Sequence, residues 1–245
     1  MKRHAIIESS SQDKLKEHNQ CIAFHEAGYA TAIYLNNKAR NLPPVFFQIM
    51  FKDLNCKPEE DLMTYQATHE NLIARVEGGR LIELLPPSID APVHKAIHHN
   101  DVMVPLIKDY IIAFETDIIN LLIGPLAEAK HVADIDDEIF NRQLIDLKAL
   151  KNYGGSCALT LAIEYLKSLS ACKQQQEEKL HELFTVAFNF INDLSNWAAI
   201  TRLANYILDS NKNIISCEEV VSLLEQSSVA KFVKPKDYSF FLEAV

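Results

Sequence analysis

A histidine and a glutamate stand side by side within the apolar stretch 21–35. His25 and Glu26 are followed, one helical turn after the histidine, by Tyr29. In zinc hydrolases with the pattern H-E-x-x-H, the two histidines lie on one helix face and bind one metal ion, and the glutamate polarises the metal-bound water as general base. The chain thus carries one ligand and the base of such a site, with a tyrosine at the position of the second ligand.

Two weaker patterns leave alternatives open. His94 and His98 are spaced to share a helix face, and His99 adjoins them. This cluster either supplies a replacement metal ligand or forms a solvated polar helix end. Cys21 lies one turn before His25, which permits a Cys/His dyad, although the sequence offers no evident third group to orient it.

The apolar pattern predicts that the His-Glu pair sits inside a long first helix. This helix is expected to begin near 11–13 and to run to about residue 35, because the turn-prone Asn36-Asn37 follows. Gly28 costs such a helix roughly 1 kcal/mol relative to alanine. We therefore expect a packed neighbour or a substrate backbone to approach closely at this point.

A small β-sheet is predicted after the first helix. Pro43-Pro44 precede the segment 45–51, which is aromatic and β-branched enough to be a strand. The apolar runs 72–76 and 80–85 flank Gly78-Gly79, a pattern typical of a β-hairpin.

The rest of the chain, from about residue 90, is predicted to be helical almost throughout. Gly124-Pro125 interrupts a long apolar run and is expected to kink or end its helix. Ser216 and Glu219 form a capping-box pattern at the start of the last helix. The other predicted helices cover 138–152, 156–171, 174–195 and 196–209.

These elements predict an α+β fold that is mainly α, with a small antiparallel or mixed sheet of about three strands. A single domain is expected over 13–226, between a flexible N-terminus (1–12) and a C-terminal tail (227–245). Within it, 13–90 hold the His-Glu helix and the sheet, and 91–226 form a helical bundle.

The composition limits the class of function. A net charge of −9 provides no excess of basic side chains to neutralise phosphates, which argues against a nucleic-acid partner. No apolar run reaches the roughly 20 residues that span a bilayer, and the first residues lack the apolar core of a signal peptide. The five cysteines are odd in number and form no C-x-x-C pair, as is typical of reduced thiols. A cytoplasmic protein without a membrane partner is therefore predicted.

Three blocks of the sequence carry a more specific pattern. Residues 24–30 read F-H-E-A-G-Y-A, residues 124–129 read G-P-L-A-E-A, and residues 154–159 read G-G-S-C-A-L. In this order they resemble the FtsH-type zinc protease family, whose blocks read roughly H-E-A-G-H-A, G-G-R-A-A-E-E and G-A-S-N-D-L. The helices over 197–226 are also similar to that family, so the resemblance extends in patches from about residue 20 to 226.

The resemblance implies an FtsH-peptidase-like helical domain and a role for each matching residue. His25 would be a vestigial zinc ligand and Glu26 a vestigial general base. Tyr29 and Ala158 stand where the family has its other two zinc ligands, so both of those ligands are lost. Glu128 matches a glutamate of the second block, which implies a hydrogen bond that orients His25. No phosphate-binding G-x-x-x-x-G-K-[ST] loop occurs, so the peptidase portion alone is expected.

The lost ligands predict that the zinc site has degenerated. A site with four ligands is worth roughly 10–16 kcal/mol, so the loss of two weakens binding by roughly 5–8 kcal/mol. No cofactor is therefore expected, and the leading interpretation is a catalytically impaired pseudopeptidase that binds peptide or protein. Two alternatives stay open: an active zinc metallopeptidase with an unusual ligand set, and a structural subunit of a larger assembly. The sequence does not indicate the oligomeric state.

Peptide capture without a metal needs a strand edge. The segment 45–51 is the candidate, because a proline start suits an edge strand and pairing with a peptide depends on main-chain hydrogen bonds alone. The alternative is that this strand is paired on both sides and belongs to the core. The predicted peptide-contacting residues are Val45, Phe46, Phe47, Gln48 and Ile49.

Overall fold

The computed structural model describes residues 11–51, 74–85 and 103–229. Over these residues the chain has six α-helices and one three-stranded antiparallel sheet, which confirms the predicted α+β, mainly α, class. The elements in chain order are α1 (Ser11–Ala39), β1 (Phe47–Phe51), β2 (Ala74–Gly78), α2 (Met103–Ile135), a 3-10 helix (Ala149–Tyr153), α3 (Ser156–Leu169), α4 (Lys173–Asn192), α5 (Leu194–Asp209), β3 (Ile214–Ser216) and α6 (Cys217–Val229).

Helices α1 and α2 form the centre of the core. Phe24 stacks on His131 at one end of their contact. Asn36 donates a hydrogen bond to Asn120 at the other end, so the two helices run antiparallel. Between these points, a methyl group on Gly28 would lie 2.5 Å from a side chain of α2. The packed neighbour expected at Gly28 is therefore present.

Helix α2 is the most apolar helix among the described residues. Its segment Lys108–Ile135 is long and apolar enough to cross a membrane by length and composition alone. However, 67% of the apolar window in this segment is buried inside the protein, as in the core helix of a globular domain.

The sheet has the strand order β2-β1-β3, so β1 is paired on both sides. Gln48, for example, lies opposite Glu77 of β2 and opposite Ser216 of β3. The prediction that 45–51 is an edge strand is therefore wrong, and the alternative of a doubly paired strand is the one observed. The residues predicted to contact peptide were Val45 and Phe46, which precede β1, and Phe47, Gln48 and Ile49, which lie in it.

The cause of this error is a third strand that is too short to be recognised from the sequence. Strand β3 has only three residues, 214–216, and its last residue, Ser216, is also the first residue of the capping box of α6. Pro43-Pro44 lie before the paired part of β1, so their missing N–H groups leave the hydrogen-bond ladder intact.

Three other predicted elements differ. The hairpin at Gly78-Gly79 does not form: both glycines have positive φ angles (81° and 85°), but the chain then leaves the sheet. The segment 138–152 forms turns and part of the 3-10 helix rather than an α-helix. Side chains of Asn141 and Asp146 accept hydrogen bonds from nearby backbone N–H groups there, which competes with helix formation. Of the two alternatives at Gly124-Pro125, an end of the helix is wrong, because α2 continues to Ile135.

Candidate functional site

His25 lies on α1 and connects it to two other elements. Its Nδ1 atom is 2.9 Å from Oε2 of Glu128 on α2, and the ring also bonds the backbone of Tyr153 at the end of the 3-10 helix. The His25 and Glu128 side chains are 20% and 17% exposed. Burial by itself would lower the pKa of His25, but the bond to Glu128 and the charges of Glu26 and Glu128 outweigh it and raise the pKa.

Two glycines from separate sequence blocks enclose the His25 ring. A methyl group on Gly124 would lie 2.9 Å from Nε2, and one on Gly154 would lie 3.1 Å from Cε1. Gly154 also has a φ angle of 66°, which favours glycine. The three sequence blocks therefore meet at one imidazole. Its Nδ1 atom bonds Glu128, and its Nε2 atom faces the backbone of Gly124.

Glu26 points to a different neighbour. Its Oε2 atom accepts a hydrogen bond of 2.7 Å from the backbone N–H of Val76 on β2. Burial raises the pKa of Glu26, although the His25 charge, the Val76 bond and the Arg75 charge act in the opposite direction. Glu26 is therefore hydrogen-bonded rather than solvated on the outer face, as a carboxylate on a mostly apolar helix requires.

The N–H that Glu26 binds belongs to the outer edge of β2. In an antiparallel pair, successive residues alternate between bonding the partner strand and facing away from it. Because Gly79 N–H bonds Phe46 O at 2.9 Å, the register turns every second residue of β2 outward, starting at its first. No strand pairs with this edge among the described residues. The outward-facing residues are Ala74, Val76 and Gly78.

The segment that follows β2 is fixed by a buried carboxylate on α2. Asp117 accepts hydrogen bonds of 2.9 Å from the N–H groups of Leu81 and Ile82. The Tyr165 hydroxyl bonds the same carboxylate at 3.1 Å. Burial raises the pKa of Asp117, and these three bonds oppose the increase. Asp117 therefore holds the segment that follows β2 against α2.

The described residues around His25 do not fit a zinc ion. Burial and the charge of Asp117 raise the pKa of Tyr29, so its phenol stays protonated and is a poor ligand. Ala158 is the third residue of α3 and offers no donor atom. Over residues 11–51, 74–85 and 103–229, no group of three His, Cys, Asp or Glu side chains is placed to hold a metal.

The remaining candidates add little to this site. Burial and the charge of Glu128 raise the pKa of Cys21 to about 11, so the thiol is neutral and a poor nucleophile for a Cys/His dyad. The three histidines 94, 98 and 99 lie outside the described residues.

Sequence reasoning missed the partners that contribute backbone groups. The Val76 N–H and the Tyr153 carbonyl are properties of the fold, and no residue type signals them. The role of Asp117 had one signal, since a carboxylate within an apolar run needs a hydrogen-bonding partner.

No protein-family model, curated protein or solved structure matches the chain. The family resemblance therefore depends on the three sequence blocks and on how they meet in space.

Proposed function

We propose that the protein is a non-catalytic relative of the FtsH-type zinc peptidases that captures extended peptides. The observation that carries this proposal is the meeting of the three family-like blocks at His25. Residues far apart in sequence, His25, Gly124 and Gly154, form one tightly packed unit, as a shared ancestral site requires. Descent from a peptidase explains this arrangement better than a chance match of short motifs.

The lack of catalysis follows from the missing ligands and from the partner of Glu26. Glu26 is bonded to Val76, whereas the bond between His25 Nδ1 and Glu128 would also orient a zinc-binding histidine. Tyr29 and Ala158 provide no further ligands. Without a metal, Glu26 has no activated water to work on.

Peptide capture is assigned to the outer edge of β2 rather than to β1. This edge directs the N–H and C=O groups of alternate residues away from the sheet, and it lies beside the His-Glu helix. An extended peptide added to such an edge gains main-chain hydrogen bonds that do not depend on a metal.

The test is a pull-down from a library of acetylated and amidated decapeptides. Wild type and Val76→Ala should both retain peptides, because alanine keeps the outward N–H. Val76→Pro should lose them, because proline removes that donor without removing a bond to β1. Circular dichroism and urea unfolding verify that all three proteins are folded. Retention of no peptide by folded wild type and by a folded variant that lacks the Glu26 carboxylate would reject the proposal.

A structural subunit is the second candidate function. Several large apolar side chains are strongly exposed, among them Leu84 (88%), Leu194 (83%) and Ile139 (81%). Burial of such side chains against a partner would be favourable. Failure of the peptide pull-down together with a stable oligomer in analytical ultracentrifugation would favour this candidate.

A further inference from the structure

We propose that Glu26 competes with peptide for the outer edge of β2. Its carboxylate accepts the hydrogen bond of the Val76 N–H and so blocks pairing of a peptide with this edge. This inference rests on the proposed function, because it concerns the regulation of the same edge. It gives the former general base a new role, in which the carboxylate imitates the carbonyl oxygen of an incoming strand.

The position of the bond supports competition. Val76 is the middle one of the three outward residues of β2, so a peptide that pairs along this edge must place a carbonyl oxygen at its N–H. The carboxylate oxygen of Glu26 already lies 2.7 Å from that nitrogen. One N–H cannot donate a full hydrogen bond to both acceptors, so Glu26 must withdraw before the peptide pairs.

The other edge of the sheet provides a contrast within the same chain. There, Glu219 accepts a bond from the N–H of Ser216 at 3.1 Å, and Ser216 Oγ accepts one from the N–H of Glu219 at 3.3 Å. These two residues are three apart, and their bonds form the capping box that begins α6. Glu26 and Val76 are 50 residues apart, and neither lies at a helix end. The Glu26 bond therefore does not cap a helix, and its effect falls on the strand edge.

The experiment measures the affinity of fluorescein-labelled decapeptides from the same library by fluorescence polarisation. Glu26→Ala removes the competing acceptor and should tighten binding about tenfold or more, since hydrogen bonds to charged groups contribute roughly 1.5–3 kcal/mol. Glu26→Gln keeps an acceptor oxygen and should stay closer to wild type. Glu26→Asp is shorter by one methylene, so it should withdraw from Val76 and also tighten binding. Glu26→Asp therefore provides a second test of competition if Glu26→Ala does not fold.

Two controls separate competition from a general loosening of the protein. Glu219→Ala removes the carboxylate at the opposite edge and should leave peptide affinity unchanged. Adding Val76→Pro to Glu26→Ala should abolish the gain in affinity, because the contested donor is then absent.

The outcomes distinguish this inference from the function on which it rests. Equal peptide affinity of wild type, Glu26→Ala and Glu26→Asp would overturn the role of Glu26 and leave peptide capture standing. An equal gain in Glu219→Ala would also overturn it, because the effect would not be specific to the β2 edge. Absence of peptide binding by every folded variant would reject both proposals.

Discussion

At the scale of single residues, His25 and Glu128 are mostly buried, so each side chain bonds the other instead of water. The pair lies mostly buried between α1 and α2, and Gly124 and Gly154 leave no room for a side chain beside the ring. A buried histidine that is charged needs a carboxylate, and Glu128 supplies it. Removal of the Glu128 charge should therefore destabilise the charged imidazole and change how stability depends on pH.

Protonation of His25 should make the protein more stable in mild acid than in mild base. The pKa of His25 is raised above its ordinary value of 6.5, so the folded state keeps a proton that the unfolded state releases. The resulting stabilisation is complete below about pH 6.5 and is lost as the pH rises through the folded pKa. Glu26, whose pKa is also raised, acts in the same direction from about pH 4.5 upward. Urea unfolding of wild type should therefore give a free energy of unfolding that falls as the pH rises above about 6.5, by about 1.4 kcal/mol in total for each pH unit that separates the folded pKa of His25 from its unfolded pKa.

The variant Glu128→Gln should flatten or reverse this slope, because burial then dominates and lowers the pKa of His25. Glu182→Gln serves as the matched control, since that carboxylate is 60% exposed and pairs with Lys179 at the surface. An unchanged slope in Glu128→Gln would show that Glu128 does not set the charge of His25.

The sequence predicted these side-chain contacts only in part. The bond between Glu128 and His25 followed from the alignment of the second block, and the burial of Glu26 followed from the apolar helix around it. The acceptor role of Glu26 toward Val76 did not follow, because which N–H groups of β2 face outward depends on the register with β1.

At the scale of the elements, the contact between α1 and α2 positions His25 beside Glu128. A methyl group on Gly28 would lie 2.5 Å from Cβ of Ala127 and 3.2 Å from the backbone oxygen of Ile123. The closer of these contacts is too short for two carbon atoms, so one helix would have to shift. Because neither neighbouring atom is the end of a flexible side chain, the backbones must move apart.

Gly28→Ala is therefore expected to destabilise the protein. Alanine gains roughly 1 kcal/mol in helix propensity, but overpacking at this crossing costs roughly 1–3 kcal/mol. Urea unfolding measures the net loss. Ala127→Gly should partly rescue the stability of Gly28→Ala, since it removes the Cβ atom with which the new methyl group clashes. If the double variant is as unstable as the sum of the two singles, the helices do not meet at these residues.

The capping box of α6 gives a second prediction at this scale. Ser216→Ala should cost about 1 kcal/mol in the free energy of unfolding, because Ser216 Oγ accepts the N–H of Glu219. Ser222→Ala, on a later turn of the same helix, is the matched control and should change stability by less than about 0.5 kcal/mol. Equal effects of the two substitutions would mean that the cap contributes nothing.

Most elements could be predicted from local pattern, and the failures have a common cause. Helices α3, α4 and α5 match the predicted 156–171, 174–195 and 196–209 to within three residues at each end. The three-stranded sheet is as predicted, but its strand pairing was mispredicted because the strands come from distant parts of the chain. Strand β2 pairs with β1 rather than with a local hairpin partner in 80–85. Hydrophobic periodicity and turn residues indicate local structure, whereas tertiary packing decides which strands pair with one another.

At the scale of the whole molecule, a metal centre of the family type would need ligands from at least two elements to converge. Here α1 contributes His25, while its next position on the same face is Tyr29, and α3 contributes only Ala158. The packed core holds His25 by bonds to Glu128 and Tyr153, and the first of these would also suit a zinc-binding histidine. Among the described residues, what the site lacks is the second and third ligand beside His25.

We therefore expect the purified protein to contain no stoichiometric zinc and to leave a denatured protein such as casein uncleaved. Inductively coupled plasma mass spectrometry after dialysis measures the metal, with an FtsH-type peptidase domain as the positive control. About one zinc per chain that is lost in His25→Ala would contradict this prediction and would support the active metallopeptidase. Zinc that is lost in His94→Ala/His98→Ala but kept in His25→Ala would instead assign the metal to the histidine cluster. In that case the His25 site would still lack a metal, and the role proposed for Glu26 at the edge of β2 would be unaffected.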